Sequence, residues 1–329
     1  MKFIITIDTE GDNQWDHGRA LTVENIRYIP RFQELCEKYL IRPTYLVTSE
    51  ICEDSYARKI FTEYISTEKA EVGAHLHSWT TPPFLDSDGY RDNDPNHAFA
   101  TELPRYLSEE KIKYLTIQIE NSFGKRPKSF RSGRYGFDRN LAEILADNSY
   151  LVDSSVTPFV SWKEHAGIPG GKGGPDFIDS LPFPTIFNFK SGSLVEIPIT
   201  ILPTTFPLNK NISLARHYFK NVNDSLFLRG FRKLFFRTQP FWLRPTPDMD
   251  IRMFNELLKG AINIRLPFIV MMFHSSELMP GCSSYRPDVE SIENLYELLE
   301  AFFLKLRDKE IGSFTLTEAA QYFNDKTVD

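Results

Sequence analysis

Short apolar segments rich in β-branched residues alternate with helical patterns along most of this 329-residue chain. Residues 2–8 (KFIITID) are typical of a buried strand, and residues 268–274 (FIVMMFH) repeat that composition near the other end. Strands that alternate with helices usually pair in parallel through right-handed crossovers. The pattern therefore predicts an α/β fold, with a single βα barrel or barrel-like domain over residues 1–329.

The remaining elements follow from periodicity and from capping signals. Strands are predicted at 42–48, 70–77, 128–133, 150–155, 194–200 and 313–317, and helices at 22–39, 55–66, 109–123, 138–146, 249–264 and 288–307. Thr22 and Ser108 are the predicted N-terminal caps of two helices. The less regular region 156–247 is expected to be an insertion on the barrel. Its PGGKGGP segment, 169–175, lacks the spacing of a phosphate-binding loop and is expected to be flexible.

Composition excludes some classes of partner and favours one compartment. The formal net charge of −6 leaves no excess of Lys and Arg for general binding to nucleic acid. The three cysteines have no CxxC spacing, which favours a reducing compartment without a disulfide framework. No hydrophobic leader precedes the first strand, and no apolar run approaches the roughly 20 residues that span a bilayer. We therefore expect a cytoplasmic bacterial protein without a transmembrane segment.

Polar residues of several chemical types stand at the ends of the predicted strands. They are Asp8, Glu10, His75, His77, Arg131, Asp153 and His274. The carboxyl ends of the strands in a parallel βα barrel share one rim, and active sites of that architecture lie there. Five separate segments are thus predicted to bring carboxylates, imidazoles and a guanidinium to one place.

His75 and His77 are one residue apart, so a strand would point both side chains to the same face. Together with one carboxylate, for which we choose Glu10, they would hold one divalent ion and leave a position open for water. Zn²⁺ is the first expectation, with Co²⁺, Ni²⁺, Fe²⁺ and Mn²⁺ as alternatives. Such an ion lowers the pKa of its bound water to about 7 or polarises a carbonyl.

Three more residues at the strand ends suit hydrolysis at such an ion. Asp8 can take a proton from the water, and Arg131 can keep Asp8 ionised through a charge-assisted contact. His274 can protonate the leaving group from across the site. These residues therefore predict a metal-dependent hydrolase.

The segments FIITIDTEGD, EVGAHLHSW, FRSGRYG, DSSVTP and FHSSEL resemble, in this order, the motifs of the NodB-homology polysaccharide deacetylases (carbohydrate esterase family 4). The resemblance implies a distorted (β/α) barrel of the glycoside hydrolase and deacetylase type, with about seven parallel strands. It also implies one divalent metal and the removal of N- or O-acetyl groups from sugars. Within it, Asp8 corresponds to the general base, His274 to the general acid and Arg131 to the residue that orients the base.

Two departures from the family pattern mark a variant branch with Asp-x-Glu and His-x-His motifs. Thr9 separates Asp8 from Glu10, where the family usually has two adjacent aspartates. The family also spaces its two histidines by four residues, which would put the second metal ligand at Trp79. Because Trp cannot bind a metal, either His77 substitutes or the site has lost a ligand.

The third departure follows Arg131, where Ser132 and Gly133 replace two prolines of the family motif. The three departures keep one alternative from a different class open, namely a glycan-binding relic that retains the fold and has lost turnover. A metal content of about one ion per chain would favour the enzyme over the relic.

Further residues are assigned to the substrate or to support of the site. Trp79 and Tyr135 either stack on a sugar ring or pack in the core. Asp153 either holds the DSSVTP loop or pairs with His274, and Asp248 is a rival partner for that histidine.

The segment 225–237 (SLFLRGFRKLFFR) interleaves basic and large apolar residues. We expect it to cover the barrel or to contact another subunit, with peripheral contact to a membrane surface as the alternative. A cytoplasmic deacetylase needs a substrate inside the cell. The expected reaction is therefore removal of an N-acyl group, first of all N-acetyl, from an amino sugar precursor of capsule or lipopolysaccharide O-antigen, either nucleotide-linked or lipid-linked.

Two other enzyme classes compete with this interpretation. The same scaffold could hydrolyse a non-sugar amide such as a formamide or a ureide ring, and the sequence does not separate these substrates. A non-haem iron oxygenase shares the set of two histidines and one carboxylate. The alternation of strands and helices disfavours it, because such oxygenases usually have an antiparallel double sheet.

Overall fold

The structure is a computed structural model that describes residues 1–14, 21–84, 98–221 and 239–328. Its strands are β1 (Lys2–Thr9), β2 (Thr44–Val47), β3 (Glu71–Leu76), β4 (Ser129–Ser132), β5 (Val152–Asp153), β6 (Thr185–Phe189), β7 (Gly192–Glu196), β8 (Ile201–Pro203), β9 (Pro240–Trp242) and β10 (Phe268–His274). Its α-helices are α1 (Ile29–Lys38), α2 (Ser49–Glu53), α3 (Ser55–Ser66), α4 (Arg105–Phe123), α5 (Arg139–Asp147), α6 (Ile212–Asn221), α7 (Ile251–Asn263), α8 (Val289–Asp308) and α9 (Leu316–Val328). Short 3₁₀ helices lie at Glu24–Tyr28, Ala100–Glu102, Gly133–Tyr135 and Ser275–Leu278.

In the described part of the chain, seven strands form one parallel series in the spatial order β10-β1-β2-β3-β4-β5-β7. Strand β6 extends this sheet at one edge by pairing antiparallel with β7. Helices follow most of the parallel strands, as the crossover rule requires. The predicted α/β barrel-like fold with about seven parallel strands is therefore confirmed.

Thr200 connects the two ends of the parallel series. The chain leaves β7 and reaches β10, where the backbone N–H of Thr200 donates to the Val270 carbonyl at 3.1 Å. The Thr200 hydroxyl oxygen accepts a hydrogen bond from the Val270 N–H at 2.8 Å. Both residues are buried. The curled sheet is thus closed by contacts of Thr200 and Leu243 with β10 in place of a complete strand ladder.

Alternation along β1 sorts its side chains between two cores. Phe3, Ile5 and Ile7 pack with the surrounding helices in the main core. Ile4 instead joins a smaller core whose members come from several strands and from α9: Leu46, Val152, Val195, Val270 and Leu316. Because side chains two residues apart share a face, Asp8 has the same orientation as Ile4 at the carboxyl end of the strand. This register directs Asp8 into the mouth of the barrel.

The predicted helix 22–39 is divided, and the predicted cap at Thr22 is wrong. A 3₁₀ helix precedes α1, and Pro30 lies in the first turn of α1, where its missing N–H costs nothing. The carboxylate of Asp12 accepts hydrogen bonds from the N–H groups of Glu24 and Asn25 at 2.8 Å each. Asp12 therefore accepts hydrogen bonds from the N–H groups of the first turn, which is the role that was predicted for Thr22.

Two other predicted boundaries also need correction. Helix α4 begins at Arg105, so Ser108 lies inside it and is buried, with its hydroxyl donating to the Ala100 carbonyl at 3.2 Å. The segment 313–317 is not a strand, because only Ser313 forms a bridge, to Phe3, before α9 begins. Residues 314 and 315 belong to no strand or helix, and only Leu316 and Thr317 of this segment belong to α9.

Part of the predicted insertion 156–247 belongs to the barrel itself, since β7 pairs in parallel with β5. The rest of its described part contributes β6, α6 and the antiparallel pair of β8 and β9. The aromatic and basic segment 225–237 lies outside the described residues, so its predicted role stays a prediction. No helix in the described ranges has both the length and the apolarity needed to cross a bilayer.

The closure through Thr200 can be tested with the substitution Thr200→Val. This change keeps the side-chain shape but leaves the buried Val270 N–H without its acceptor, so we expect the free energy of unfolding to fall by about 1–3 kcal/mol. Urea denaturation measures it. Thr185→Val on the exposed edge of β6 is the control and should have little effect. Equal stabilities for the two variants would contradict the closure.

Candidate metal centre

Strand register brings the predicted site residues to one level at the mouth of the barrel. Asp8 on β1 lies opposite His274 on β10, and His75 on β3 lies opposite Arg131 on β4. All four are at or near the carboxyl ends of their strands. Glu10 follows β1 directly and turns into the same space. The convergence that the strand ends predicted is therefore present in the structure.

Glu10, His75 and His77 form a group of three potential metal ligands, all buried. The Nε2 atoms of His75 and His77 are 2.9 Å apart. Glu10 Oε2 lies 3.1 Å from His77 Nε2 and 3.6 Å from His75 Nε2. Ligand atoms that share a tetrahedral ion at bonds of about 2.0–2.1 Å are separated by about 3.3 Å. The three atoms therefore have the spacing of a single ion's ligands.

Hydrogen bonds at the far side of each ring assign the tautomers of the two histidines. His75 Nδ1 is 3.0 Å from the Arg131 carbonyl, which can only accept, so Nδ1 carries the proton. The Gln14 side chain satisfies its neighbours when its oxygen accepts from His77 Nδ1 at 2.7 Å and from the Trp79 indole N–H at 3.2 Å. In the neutral rings both Nε2 atoms then present lone pairs to the centre, which is the usual arrangement of metal-binding histidines.

The protonation states of this group also fit a cation. Among the described residues, no donor forms a hydrogen bond with the buried Glu10 Oε2. Burial opposes the charge of Glu10, but nearby groups, the charge of His274 first among them, outweigh it and lower the pKa of Glu10. Burial and the neighbouring His75 lower the pKa of His77 to about 4, so that this ring is neutral at pH 7. An ionised carboxylate at Glu10, a neutral imidazole at His77 and the inward Nε2 atom of His75 are a donor set that fits a divalent metal.

Gly133 and Trp79 explain how His77 fits at its unusual spacing. A Cβ atom at position 133 would lie 2.4 Å from His77 Cδ2 and 2.7 Å from the Leu76 carbonyl oxygen. On its other side, the ring of His77 stacks on Trp79 with centroids 4.4 Å apart. The absence of a side chain at Gly133 and the stacking on Trp79 thus together leave the space that the His77 ring occupies.

Trp79 therefore does not have the position predicted for a sugar platform. It is only 5% exposed, and its face is covered by His77. Its indole N–H is directed to Gln14. The packing alternative fits this residue, because its buried ring supports the ring of His77.

Asp8 and Arg131 form a buried ion pair beside the three-ligand group. Arg131 NH1 donates to Asp8 Oδ1 at 2.5 Å, and Arg131 also donates to the carbonyl and the hydroxyl of Ser154 at 2.7 and 3.1 Å. Burial would raise the pKa of Asp8, but Arg131 and His75 outweigh it and the pKa lies below its usual range. The second oxygen, Oδ2, faces the site at 3.9 Å from His75 Nε2 and 4.0 Å from His274 Nε2.

His274 has a different partner from the two that we predicted. Its Nδ1 lies 3.2 Å from Glu277 Oε1 and 3.0 Å from Arg244 NH2, and Arg244 also donates to Glu277 at 2.7 Å. Asp248 is exposed and accepts instead from the Thr246 hydroxyl at 2.6 Å. Glu277 therefore replaces Asp248 in the predicted role. It reaches His274 because a 3₁₀ turn brings a side chain three residues later back to the strand end.

Asp153 holds the loop that follows β5 and does not pair with His274. Its carboxylate accepts from the Ser155 N–H at 2.9 Å and from the Ser155 hydroxyl at 2.8 Å. Glu196 lies beside it, and burial together with the charge of Asp153 raises the pKa of Glu196 well above its usual range. Ser155 in turn accepts from the Ser132 N–H at 2.9 Å. This network fixes the loop whose Ser154 positions Arg131.

A cleft of about 520 Å³ opens over the centre and is lined by Asp8, Glu10, His75, His77 and His274. Tyr135 lies in its wall as predicted for a substrate-facing residue, stacked on Trp162 with centroids 5.2 Å apart. Arg134, Arg244, His165 and Tyr285 complete the wall farther from the centre. The cleft thus combines a polar floor with aromatic and basic sides.

Sequence reasoning missed Gln14, Arg244, Glu277 and Trp162. A signal existed for Glu277, because the spacing HSSE places a carboxylate one short turn after His274. Gln14 is four residues from Glu10, in a loop whose course no periodicity predicts. Arg244 and Trp162 come from the irregular region 156–247, where a single sequence gives no register relative to the barrel.

No sequence family and no curated protein matches this chain. Among solved structures, a proposed polysaccharide deacetylase from Mycobacterium smegmatis is similar, with a TM-score of 0.59 and 12% identity, covering 99% of this chain and 91% of that chain. A 4-alpha-glucanotransferase from Thermococcus litoralis is also similar, with a TM-score of 0.54 and 12% identity, covering 98% of this chain and 40% of that chain.

The resemblance to polysaccharide deacetylases is thereby confirmed at the level of the fold. The two neighbours are named for different activities, so the fold they share with this chain does not by itself select a reaction. The choice between reactions depends on the residues at the mouth of the barrel.

The packing of Gly133 against His77 predicts the effect of Gly133→Ala on metal binding. The added methyl group collides with the His77 ring on one side and with backbone on the other, so we expect Zn²⁺ affinity to fall about tenfold to hundredfold. Competition with a chromophoric chelator measures it. The control is Gly260→Ala, whose methyl group would meet its nearest neighbour at an ordinary 3.8 Å. Unchanged Zn²⁺ affinity in Gly133→Ala would contradict the assignment of His77 as a ligand.

Proposed function

We propose that this chain is a metal-dependent hydrolase that removes an N-acyl group, first of all N-acetyl, from an amino sugar. The observation that carries the proposal is the convergence of Glu10 Oε2 with the Nε2 atoms of His75 and His77, all within 4.8 Å of one another. Asp8, whose carboxylate is paired with Arg131, and His274 lie beside that group. Metal ligands with an adjacent base and acid are the components of a hydrolytic site.

Glu10, His75 and His77 would hold the ion, with Zn²⁺ first and Co²⁺, Ni²⁺, Fe²⁺ or Mn²⁺ as alternatives. When bound, a divalent ion activates water and polarises the acyl carbonyl. Asp8 is the base in this proposal. Its Oδ1 is engaged by Arg131, which leaves Oδ2 facing the site to take the proton from the attacking water.

His274 is the proposed acid for the departing amine. It is 21% exposed, towards the cleft, and its Nε2 points to the same space as Asp8 Oδ2, 4.0 Å away. Partial burial lowers the pKa of His274, but the carboxylates of Glu10 and Glu277 more than offset this and raise the pKa above its usual value. The raised pKa enlarges the share of the imidazolium form, which can donate a proton to the departing amine. Glu277 and Arg244 hold the ring in position.

The residues on the sides of the cleft favour a sugar with an anionic group as the substrate. Trp162 and Tyr135 offer aromatic surface of the kind that packs against sugar rings, and Arg134 and Arg244 lie on the same lining. Guanidinium groups recognise phosphate through paired hydrogen bonds. This combination supports a nucleotide-linked or lipid-linked precursor of capsule or O-antigen, used in the cytoplasm, over a neutral extracellular polymer.

The exchange Asp8→Asn tests the proposed base. The amide cannot accept the proton from water, so we expect kcat for N-acetyl release to fall about 10²–10⁴-fold, while Zn²⁺ content stays near that of the wild type. Released acetate and metal analysis give the two readings. Asp248→Asn on the exposed surface is the matched control. A rate near that of the wild type in Asp8→Asn would show that another group is the base.

Matched substrates test the proposed substrate class. With the Zn²⁺-loaded protein, we expect acetate release from UDP-N-acetylglucosamine to exceed release from neutral chitin oligosaccharides by about tenfold or more in kcat/KM, because only the former offers phosphates to the arginines. The N-formyl analogue of the nucleotide sugar, followed through released formate, tests the identity of the acyl group. Equal rates on the chitin fragments and the nucleotide sugar would refute the precursor assignment.

A further inference from the structure

The glycine-rich segment 169–175, expected from the sequence to be flexible, is instead tied to Glu102 by its backbone. Glu102 Oε2 accepts from the Ile168 N–H at 3.0 Å and from the Phe99 N–H at 3.1 Å. Its other oxygen, Oε1, accepts from the Gly173 N–H at 3.0 Å. One carboxylate thus receives three backbone donors, two of them from the glycine-rich loop and its border.

The glycines of this loop make the close approach to Glu102 feasible. A Cβ atom at position 167 would lie 1.8 Å from Glu102 Oε2, and one at position 171 would lie 2.4 Å from Glu102 Oε1. Any larger residue at either position would push the loop away from the carboxylate. Gly170 differs, because a Cβ there would meet nothing within 4 Å.

The segment held by Glu102 is continuous with one wall of the cleft over the metal centre. Trp162 and His165 line that cleft and precede the glycines by a few residues. The Gly174 N–H and the His165 N–H both donate to the Trp162 carbonyl, at 3.2 and 3.0 Å, which closes the segment on itself. Arg134, also on the lining, donates to the Ala166 carbonyl at 2.7 Å.

Glu102 itself does not line the cleft and is separate from the group of Glu10, His75 and His77. Two of its three accepted bonds connect the 3₁₀ turn that ends at Glu102 to the segment that follows Trp162 and His165, and the third holds Glu102 to its own turn. If that connection is broken, the segment between His165 and Gly173 loses two of its backbone anchors, while the Trp162 N–H keeps its bond to the Pro175 carbonyl at 2.9 Å.

We propose that Glu102 is a positioning residue for sugar recognition, which holds the glycine-rich loop so that Trp162 and His165 form a rigid sugar-binding wall. This inference rests on the proposed function, since it assumes that the cleft accepts a sugar. It assigns to the PGGKGGP segment a task that does not involve phosphate or catalysis. Glu102 acts through the loop and does not touch the reacting atoms.

The exchange Glu102→Gln tests this role. The amide NH₂ must face at least one of the three N–H groups, so the loop loosens and KM for the N-acetyl sugar rises about tenfold. Hydrolysis of 4-nitrophenyl acetate, which is too small to need the wall, stays within about twofold of the wild type. The matched control is Glu143→Gln, which removes a charge from a half-exposed pair with Arg105. A purely structural role would lower both activities together, and that result would overturn the proposal, as would an unchanged KM.

Two glycine variants separate the collision with Glu102 from general strain in the loop. Gly171→Ala should reproduce the rise in KM, because its methyl group collides with the carboxylate. Gly170→Ala should leave KM near the wild-type value although its φ of +74° makes any side chain unfavourable. Equal effects of the two variants would overturn the proposal.

Binding of the product amino sugar, followed by tryptophan fluorescence, distinguishes failure of this inference from failure of the proposed function. If the wild type has no hydrolase activity but binds the sugar, and Glu102→Gln binds it about tenfold less tightly, the positioning role stands and the hydrolase proposal falls. If both proteins bind the sugar equally, the positioning role is wrong. If neither binds it, both proposals are wrong.

Discussion

Two imidazole nitrogens and one carboxylate oxygen face each other in a buried space, and the rest of the site is arranged around that electrostatic requirement. Each histidine donates its other ring N–H outward, to the Arg131 carbonyl or to Gln14, so the inward nitrogens carry lone pairs. Three inward lone pairs without a shared hydrogen repel one another unless a cation lies between them. The hydrogen bonds of His75 to Arg131 and of His77 to Gln14 therefore support a metal site more strongly than the identity of the three ligand residues alone.

The buried carboxylates around this centre differ in the groups that keep them ionised. Asp8 and Glu10 are both kept ionised in the same buried space, and the largest compensating group differs: Arg131 for Asp8, and His274 for Glu10. On the other side, burial opposes the charge of Glu277, but Arg244 and His274 lower its pKa to about 2. Two carboxylates with different partners can serve different purposes, one binding a cation and one moving a proton. The geometry thus supports the separation of roles between Asp8 and Glu10.

The sequence predicted the frame of the molecule and the floor of the site, because both follow from local periodicity. A strand that ends in a polar residue places that residue at the rim, which is why Asp8, His75 and His274 converge as expected. The surrounding residues depend on contacts between distant segments, and local patterns do not encode these. Trp79 illustrates the difference: its exposure could not be read from the sequence, and its burial goes with its stacking on His77 and its contact with Gln14. Arg244 and Glu102 similarly gain their roles from the course of loops.

Anomalous diffraction from crystals grown with Zn²⁺ tests the central claim most directly. We expect one strong peak per chain at about 2.0–2.2 Å from Glu10, His75 and His77, with an open position towards Asp8 and the cleft. His77→Ala crystals should lose the peak. A protein that holds no ion under these conditions, or that holds it elsewhere with His75 and His77 hydrogen-bonded to each other, would contradict the account.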